Sequence, residues 1–143
     1  MKKFLFFAVL FCLIGCGQAQ DSARAEHIAW IRDMSVAKDL AQKNDKPILI
    51  DFYTEWCGWC KKLDKDTYGD ARVIAAVKEF VCAKIDAEKN QALARQYKVQ
   101  GFPTTVFLDS EGNLIEAIPG YMTAEQFLEV LNKISESLRG SSG

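Results

Sequence analysis

Two cysteines, Cys57 and Cys60, lie three positions apart and are the residues best suited to chemistry in this chain. An apolar run over residues 48–53 precedes them and residues of mixed polarity follow, so the pair is predicted to lie where a strand gives way to a helix. The unpaired N–H groups and the positive dipole end of that helix would favour a thiolate on Cys57. Cys60 would lie about one turn later, close enough for the pair to cycle between dithiol and disulfide.

A single C-x-x-C motif also occurs in zinc sites and in structural disulfides. Zinc sites draw on four ligands, whereas the chain has one histidine, His27, and no second C-x-x-C motif. A purely structural bridge would close a very short loop, and short loops gain least from cross-linking. We therefore favour redox chemistry for Cys57 and Cys60, with zinc binding and a structural bridge as the alternatives.

The composition is typical of one globular domain. The chain has 143 residues, of which 49% are hydrophobic and 26% are charged. Its net charge of −1 gives no electrostatic basis for binding nucleic acid. Cys82 lies in an apolar run and is predicted to be an inert core residue, with a regulatory thiol as the alternative.

The N-terminus has the pattern of an export signal. Lys2 and Lys3 precede an apolar run over residues 4–14, which is too short to span a bilayer comfortably. The run leads into Cys16 through Leu-Ile-Gly, and this ending resembles the lipobox of bacterial lipoproteins. The resemblance implies cleavage before Cys16 and acylation of that cysteine, whereas an ordinary secretory signal cut near Ala19 is the alternative.

We therefore predict a signal peptide over residues 1–15, then a lipidated cysteine and flexible tether over 16–26. Lipid on Cys16 would hold an otherwise soluble domain at a membrane surface. The predicted location is the bacterial cell envelope, facing the periplasm, and Gly17 weakly favours the outer membrane by analogy with other lipoproteins. Such a location permits disulfide chemistry.

Hydrophobic periodicity and turn residues predict alternating strands and helices along the rest of the chain. In chain order these are a strand over 27–31, a helix over 36–43 capped by Ser35, a strand over 48–53, a helix from Cys57 to Thr67 or Tyr68, a helix over 71–80 capped by Asp70, a strand over 80–86, a helix over 91–97, strands over 104–108 and 114–118, and a last helix opened by Thr123 and Gln126. This order predicts an α/β fold, with a central mixed β-sheet flanked by helices on both faces. The domain is expected to span residues 27–138, followed by a flexible tail over 139–143.

Residues 27–138 resemble thioredoxin-fold proteins, in particular the exported thioredoxin-like branch. Three motifs carry the resemblance in the right order: residues 51–61 with the C-x-x-C pair, the loop Gly101-Phe102-Pro103-Thr104, and the Gly112 turn followed by Pro119-Gly120. The chain departs from typical thioredoxins at Trp59, where they carry proline.

The resemblance implies a role for each residue near the pair. Cys57 would be the nucleophile, Cys60 the resolving thiol, and Asp51 the acceptor of the Cys60 proton. A carboxylate inside a buried strand is costly, so Asp51 is expected to have a raised pKa or a partner, and Lys84 is a candidate unless it is solvated. The alternative is that Asp51 faces solvent. Pro103 should follow a cis peptide bond and face the sulfurs.

The candidates for substrate binding are Trp56, Gly58, Trp59, Phe102 and Thr104. Trp59 is expected to be an exposed apolar surface beside Cys57, whereas core packing is the alternative for Trp56. The backbone of Phe102 could pair with an extended substrate strand, and Gly58 permits close backbone approach.

The leading hypothesis is a membrane-anchored, extracytoplasmic thiol–disulfide oxidoreductase that reduces disulfides of exported proteins. Strong oxidants of this fold commonly carry histidine before the second cysteine, and the uncharged Trp59 cannot stabilise a thiolate in that way. The expected partners are exported proteins with thiols or disulfides and a membrane thiol reductase as electron donor, for a monomer without a cofactor. The alternatives are a disulfide isomerase or oxidase of the same fold and a non-enzymatic copper-binding module.

Overall fold

The computed structural model describes residues 26–141. The predicted signal peptide over 1–15, the lipidation site Cys16 and nearly all of the tether over 16–26 lie outside the described residues. No helix in the described part of the chain is both long enough and apolar enough to cross a membrane.

Four strands and five α-helices make up the domain. In chain order they are α1 (Met34–Asn44), β1 (Ile48–Tyr53), α2 (Gly58–Asp66), α3 (Ala71–Ala76), β2 (Val81–Asp86), α4 (Gln91–Gln96), β3 (Thr104–Leu108), β4 (Leu114–Pro119) and α5 (Ala124–Ser141), with one 3-10 turn (Val77–Glu79) before β2. The strand order in the sheet is β2-β1-β3-β4. β1 runs parallel to β2 and antiparallel to β3, and β3 runs antiparallel to β4, so the predicted mixed sheet is confirmed.

Each face of the sheet is covered by its own apolar cluster. On one face Leu49 and Phe107 pack with α2, α3 and α5, which contribute Leu63, Val73 and Phe127. On the other face the strands pack with α1 and α4. The sheet is therefore covered by helices on both faces, as a central strand without polar alternation requires.

The first predicted strand, over residues 27–31, is wrong. Only Ile31 reaches the sheet, where its N–H donates to the carbonyl of Cys82 and its carbonyl accepts from Lys84, at 2.9 Å each. The N–H of Trp30 instead donates to the carbonyl of Ile28 at 3.0 Å, which curls the chain away from an extended pairing. The apolar content of residues 27–31 was therefore not enough to predict a strand.

Several helix boundaries also differ from the predictions. The helix predicted over 71–80 ends at Ala76 and is followed by the 3-10 turn. Asp33, not Ser35, caps α1, because the Asp33 carboxylate accepts from the N–H groups of Ser35 and Val36. α5 opens with the predicted reciprocal bonds between Thr123 and Gln126. It continues to Ser141, so the start of the predicted flexible tail over 139–143 is helical, since no proline ends the helix there.

Candidate active site

The two cysteines lie at the N-terminal end of α2, directly after β1. Cys57 is the N-cap residue, and its Sγ accepts a hydrogen bond from the N–H of Cys60 at 3.1 Å. The two residues form a disulfide, with their Cα atoms 5.3 Å apart. When the pair is reduced, the same N–H and the helix dipole stabilise negative charge on Cys57.

Both cysteines are nearly equally buried. Cys57 is 5% exposed and Cys60 is 3% exposed, so the two residues differ little in exposure. What distinguishes the two sulfurs is therefore the capping position of Cys57 and not their access to water.

Asp51 lies in the middle of β1 and is fully buried. Lys84 of β2 and Thr105 of β3 are its direct neighbours in the sheet, so the three side chains form a row on one face. Lys84 is 5% exposed, and its ammonium group donates to Asp51 Oδ2. The alternatives of a solvent-facing Asp51 and a solvated Lys84 are therefore wrong.

Burial raises the pKa of Asp51 above its ordinary value of 3.8, the charge of Lys84 opposes that rise, and Asp64 adds to it. Asp64 also accepts from Lys84 and leaves 44% of its side chain exposed. It lies one helical turn after Cys60, on the same face of α2. Asp64 was not identified from the sequence, although its spacing of four from Cys60 was a usable signal.

Three aromatic rings surround the ammonium group of Lys84. Its Nζ lies 5.2 Å from the ring centre of Trp30, 5.1 Å from that of Tyr53 and 5.4 Å from that of Tyr68. These ring faces attract the cation. The cage fixes Lys84 between the two carboxylates.

Trp56 stands at the surface, with 68% exposure, so core packing is wrong for this residue. Its Nε1–H donates to Glu88 Oε1 at 2.8 Å, and its ring meets that of Phe102 edge-on at 6.2 Å. Glu88, in the loop after β2, was not identified from the sequence. Together these contacts fix an exposed aromatic surface beside Cys57.

A groove of about 380 Å³ is lined by Trp59, Phe102, Pro103, Gly120 and Tyr121. Trp59 is 60% exposed, and its ring lies 5.7 Å from that of Tyr121. The Phe102–Pro103 peptide bond is cis. Tyr121 was missed by the sequence analysis because no motif connects it to the cysteines.

The other two candidates for substrate binding contribute less. Thr104 is buried, and its hydroxyl donates to the carbonyl of Gly101 at 2.8 Å, so its side chain stabilises the loop and does not reach the groove. A Cβ at Gly58 would meet nothing within 4 Å, so no atom of the described chain requires glycine there. Among residues 26–141, the backbone of Phe102 has no hydrogen-bond partner, which leaves it available for pairing.

Cys82 is buried in the core beneath α3, and burial raises the pKa of its thiol to about 12. A thiol with that pKa is almost entirely protonated near neutral pH and therefore unreactive. Within the described residues, no group of three or more His, Cys, Asp or Glu side chains could hold a metal ion.

A profile described as "Thioredoxin-like domain" matches residues 34–135. Among curated proteins, the thiol:disulfide interchange protein DsbD of Vibrio vulnificus (strain CMCP6) is 39% identical over 102 residues, 67% of this chain and 17% of that protein. DsbD of Yersinia pestis (strain Pestoides F) is 38% identical over 98 residues, which is 64% of this chain and 16% of that protein. The chain thus spans about 17% of the length of the first of these relatives.

Solved structures agree with these matches. A thioredoxin from Thermus thermophilus superimposes with a TM-score of 0.69 at 26% identity, covering 76% of this chain and 87% of that chain. The oxidised C-terminal domain of DsbD from Neisseria meningitidis gives a TM-score of 0.62 at 29% identity, covering 73% of this chain and 98% of that one. The similarity therefore concerns the domain that carries the cysteine pair.

Proposed function

Because this chain belongs to the family of thioredoxin-like domains and carries a Cys57–Cys60 pair of the disulfide-oxidoreductase type, we propose that it reduces disulfides of exported proteins while held at a membrane by lipid on Cys16. The observation that carries the proposal is the position of Cys57 as the cap of α2, with Cys60 behind it. That arrangement makes one sulfur a nucleophile and the other a resolving thiol.

In the proposed reaction the Cys57 thiolate attacks one sulfur of a substrate disulfide. A bond forms between Cys57 Sγ and that sulfur, and the other substrate sulfur leaves as a thiolate. Cys60, once deprotonated, attacks Cys57 Sγ, which closes the Cys57–Cys60 disulfide and releases the second substrate thiolate. Two electrons pass from the dithiol to the substrate, whose thiolates take up protons.

Asp51 is the group proposed to accept the proton of Cys60. Its raised pKa makes it a better base than an exposed carboxylate. The ion pairs from Asp51 through Lys84 to the half-exposed Asp64 link this buried carboxylate to the surface. A proton taken up at Asp51 therefore has a polar route toward solvent.

The proposed substrate surface consists of the two aromatic pairs on either side of the cysteines. Trp56 with Phe102, and Trp59 with Tyr121, offer exposed rings to an extended chain. The unpaired backbone of Phe102 can add main-chain hydrogen bonds that do not depend on the substrate's side chains. This combination suits unfolded or flexible segments around a disulfide.

The direction of electron flow is proposed from Trp59, which places no positive charge beside Cys57. Electrons would come from a membrane thiol reductase, and the curated relatives named thiol:disulfide interchange proteins support this kind of partner. Equilibration with glutathione tests the direction. A reduction potential near the thioredoxin value of about −270 mV supports a reductase, whereas one near about −120 mV would make the protein an oxidant.

Insulin reduction with dithiothreitol as electron source tests the activity itself. Cys57→Ser should abolish turnover above the dithiothreitol background. When dithiothreitol is removed before substrate is added, Cys60→Ser should accumulate a mixed disulfide with substrate that a gel without reductant resolves. Cys82→Ser is the matched control and should keep full turnover, because that buried thiol lies outside the pair. Full turnover by Cys57→Ser would overturn the proposed function.

A further inference from the structure

Three buried oxygen atoms on one face of the sheet have no hydrogen-bond partner among the described residues: Asp51 Oδ1, the Tyr68 hydroxyl and the Thr105 hydroxyl. Asp51 and Thr105 are 0% exposed and Tyr68 is 5% exposed. Thr105 lies directly opposite Asp51 in the β1–β3 pairing, so both side chains point to the same face of the sheet. Tyr68 follows α2 and belongs to the apolar cluster on that face.

Buried polar atoms are rarely left unsatisfied in folded proteins, because each lost hydrogen bond is costly. Three such atoms from three separate segments of the chain at one place therefore need a common explanation. Lys84 binds Oδ2 of Asp51, whereas Oδ1 has no partner among the described residues.

The three groups act on one another electrostatically. Burial raises the pKa of Tyr68 well above its ordinary value of 10.0, the Asp51 carboxylate adds to the rise and the Thr105 hydroxyl opposes it. Tyr68 therefore keeps its proton and is a hydrogen-bond donor near neutral pH. In turn, the Tyr68 hydroxyl is among the groups that lower the pKa of Asp51.

We propose that Tyr68 is a positioning residue for Asp51, whose free oxygen accepts the Tyr68 hydroxyl proton in a hydrogen bond while Thr105 donates to the Tyr68 oxygen. The chain of donors from Thr105 through Tyr68 favours the ionised form of Asp51. The effect on catalysis rests on the proposed function, in which ionised Asp51 takes the proton of Cys60.

Tyr68 is one of three titratable groups that act on Asp51. Lys84 on β2 lowers its pKa, whereas Asp64 on α2 raises it, and both reach it through the ion pairs. From β3 the facing group is Thr105, which is uncharged, and from α5 it is the apolar Phe127, which packs on the Tyr68 ring at 5.4 Å. Removing the Tyr68 hydroxyl leaves those charges in place.

The experiment follows the carboxyl carbon of Asp51 by 13C NMR during a pH titration of the oxidised protein, in which neither active-site sulfur titrates. In Tyr68→Phe the midpoint should rise by about 1 pH unit, the size expected for a hydrogen bond to an ionised group. Thr105→Val should raise the midpoint less, because it acts through Tyr68, and Thr105→Ser should restore the wild-type midpoint.

Tyr97→Phe is the matched control. Tyr97 is also a buried tyrosine whose hydroxyl has no partner among the described residues, but it packs in the apolar cluster on the opposite face of the sheet. It should leave the Asp51 midpoint unchanged. An unchanged midpoint in Tyr68→Phe, or an equal rise in Tyr97→Phe, would overturn the proposal.

A second readout separates this proposal from the proposed function. Where Asp51 is the proton acceptor, the acidic limb of the pH profile for disulfide reduction should move upward in Tyr68→Phe along with the NMR midpoint. In a protein that already carries Asp51→Asn, adding Tyr68→Phe should not move the acidic limb of the pH profile. A shifted midpoint with an unchanged pH profile would keep Tyr68 as the positioning residue and reject Asp51 as the acceptor.

Discussion

Replacing Lys84 with methionine tests whether one buried cation holds the carboxylate beneath the cysteines in its ionised form. Lys84 is 5% exposed and donates to both Asp51 and Asp64. Its removal leaves Asp51 buried without a counter-charge, whereas Asp64 keeps 44% of its side chain in water. Methionine retains much of the volume and can still contact the three aromatic rings.

The expected loss of stability has two parts. Removing one partner of a buried ion pair costs about 3–5 kcal/mol while the remaining charge stays ionised. The lost contact between the cation and the aromatic rings costs about 0.5–2 kcal/mol at any pH. We therefore expect the free energy of unfolding to fall by about 5 kcal/mol at pH 8 and by about 1 kcal/mol at pH 4, where a protonated Asp51 needs no counter-charge.

The direction of this pH dependence follows from the pKa of Asp51. Burial already raises it above 3.8, and without the opposing charge of Lys84 it rises further. Between the unfolded and folded pKa values the folded chain binds more protons than the unfolded chain. The stability of the variant must therefore fall as the pH rises through that window.

Urea unfolding followed by circular dichroism from pH 4 to pH 8 measures this difference. Lys89→Met is the matched control, because Lys89 pairs with Asp86 while 73% of its side chain is exposed, and it should cost far less stability than Lys84→Met at pH 8. Adding Asp51→Asn to Lys84→Met should recover most of the loss at pH 8. A loss of equal size at every pH would refute the reasoning.

Three further predictions concern the groove, the core and the free thiol. In steady-state assays, Trp59→Ala should raise the KM for a peptide disulfide about tenfold, as for a central aromatic contact. Leu114→Ala should leave the KM unchanged, because Leu114 is an exposed apolar side chain on β4 outside the groove lining. Phe127→Ala should lower the free energy of unfolding by about 3–5 kcal/mol in urea titrations, because its ring is fully buried; a loss below about 1 kcal/mol would contradict its place in the core. Cys82, with a thiol pKa of about 12, should resist iodoacetamide at pH 8 until the chain unfolds, as mass spectrometry of the reduced protein would show.

Much of the architecture could be predicted because local patterns and tertiary packing agree. The apolar run of β1 is continuous because both of its faces are buried, and the Thr123–Gln126 box marks the start of α5 by its own hydrogen bonds. The strand predicted over 27–31 failed because its pairing depends on how the chain curls at Trp30. Trp30 also packs against Tyr68 and Lys84, and periodicity does not record such distant contacts.

Only those residues of the site that lie within a sequence motif could be predicted. Asp51 and the cysteine pair are close in sequence, so their relationship is visible in one segment. Tyr121, Glu88 and Tyr68 come to the site from other elements, and their residue types are equally common in ordinary cores and surfaces. Only the register of the sheet and the path of the chain after α2 show which of them face the reacting groups.

The near-equal burial of the two sulfurs means that their chemical difference must come from the helix. At Cys57 the chain supplies an N–H donor and the positive end of the α2 dipole, and both favour a thiolate. One turn later Cys60 has no such donor, but the same face of α2 continues to Asp64 and through Lys84 to Asp51. Because one helix fixes both environments, the proposed nucleophile and the proposed resolving thiol cannot exchange roles without moving the start of α2.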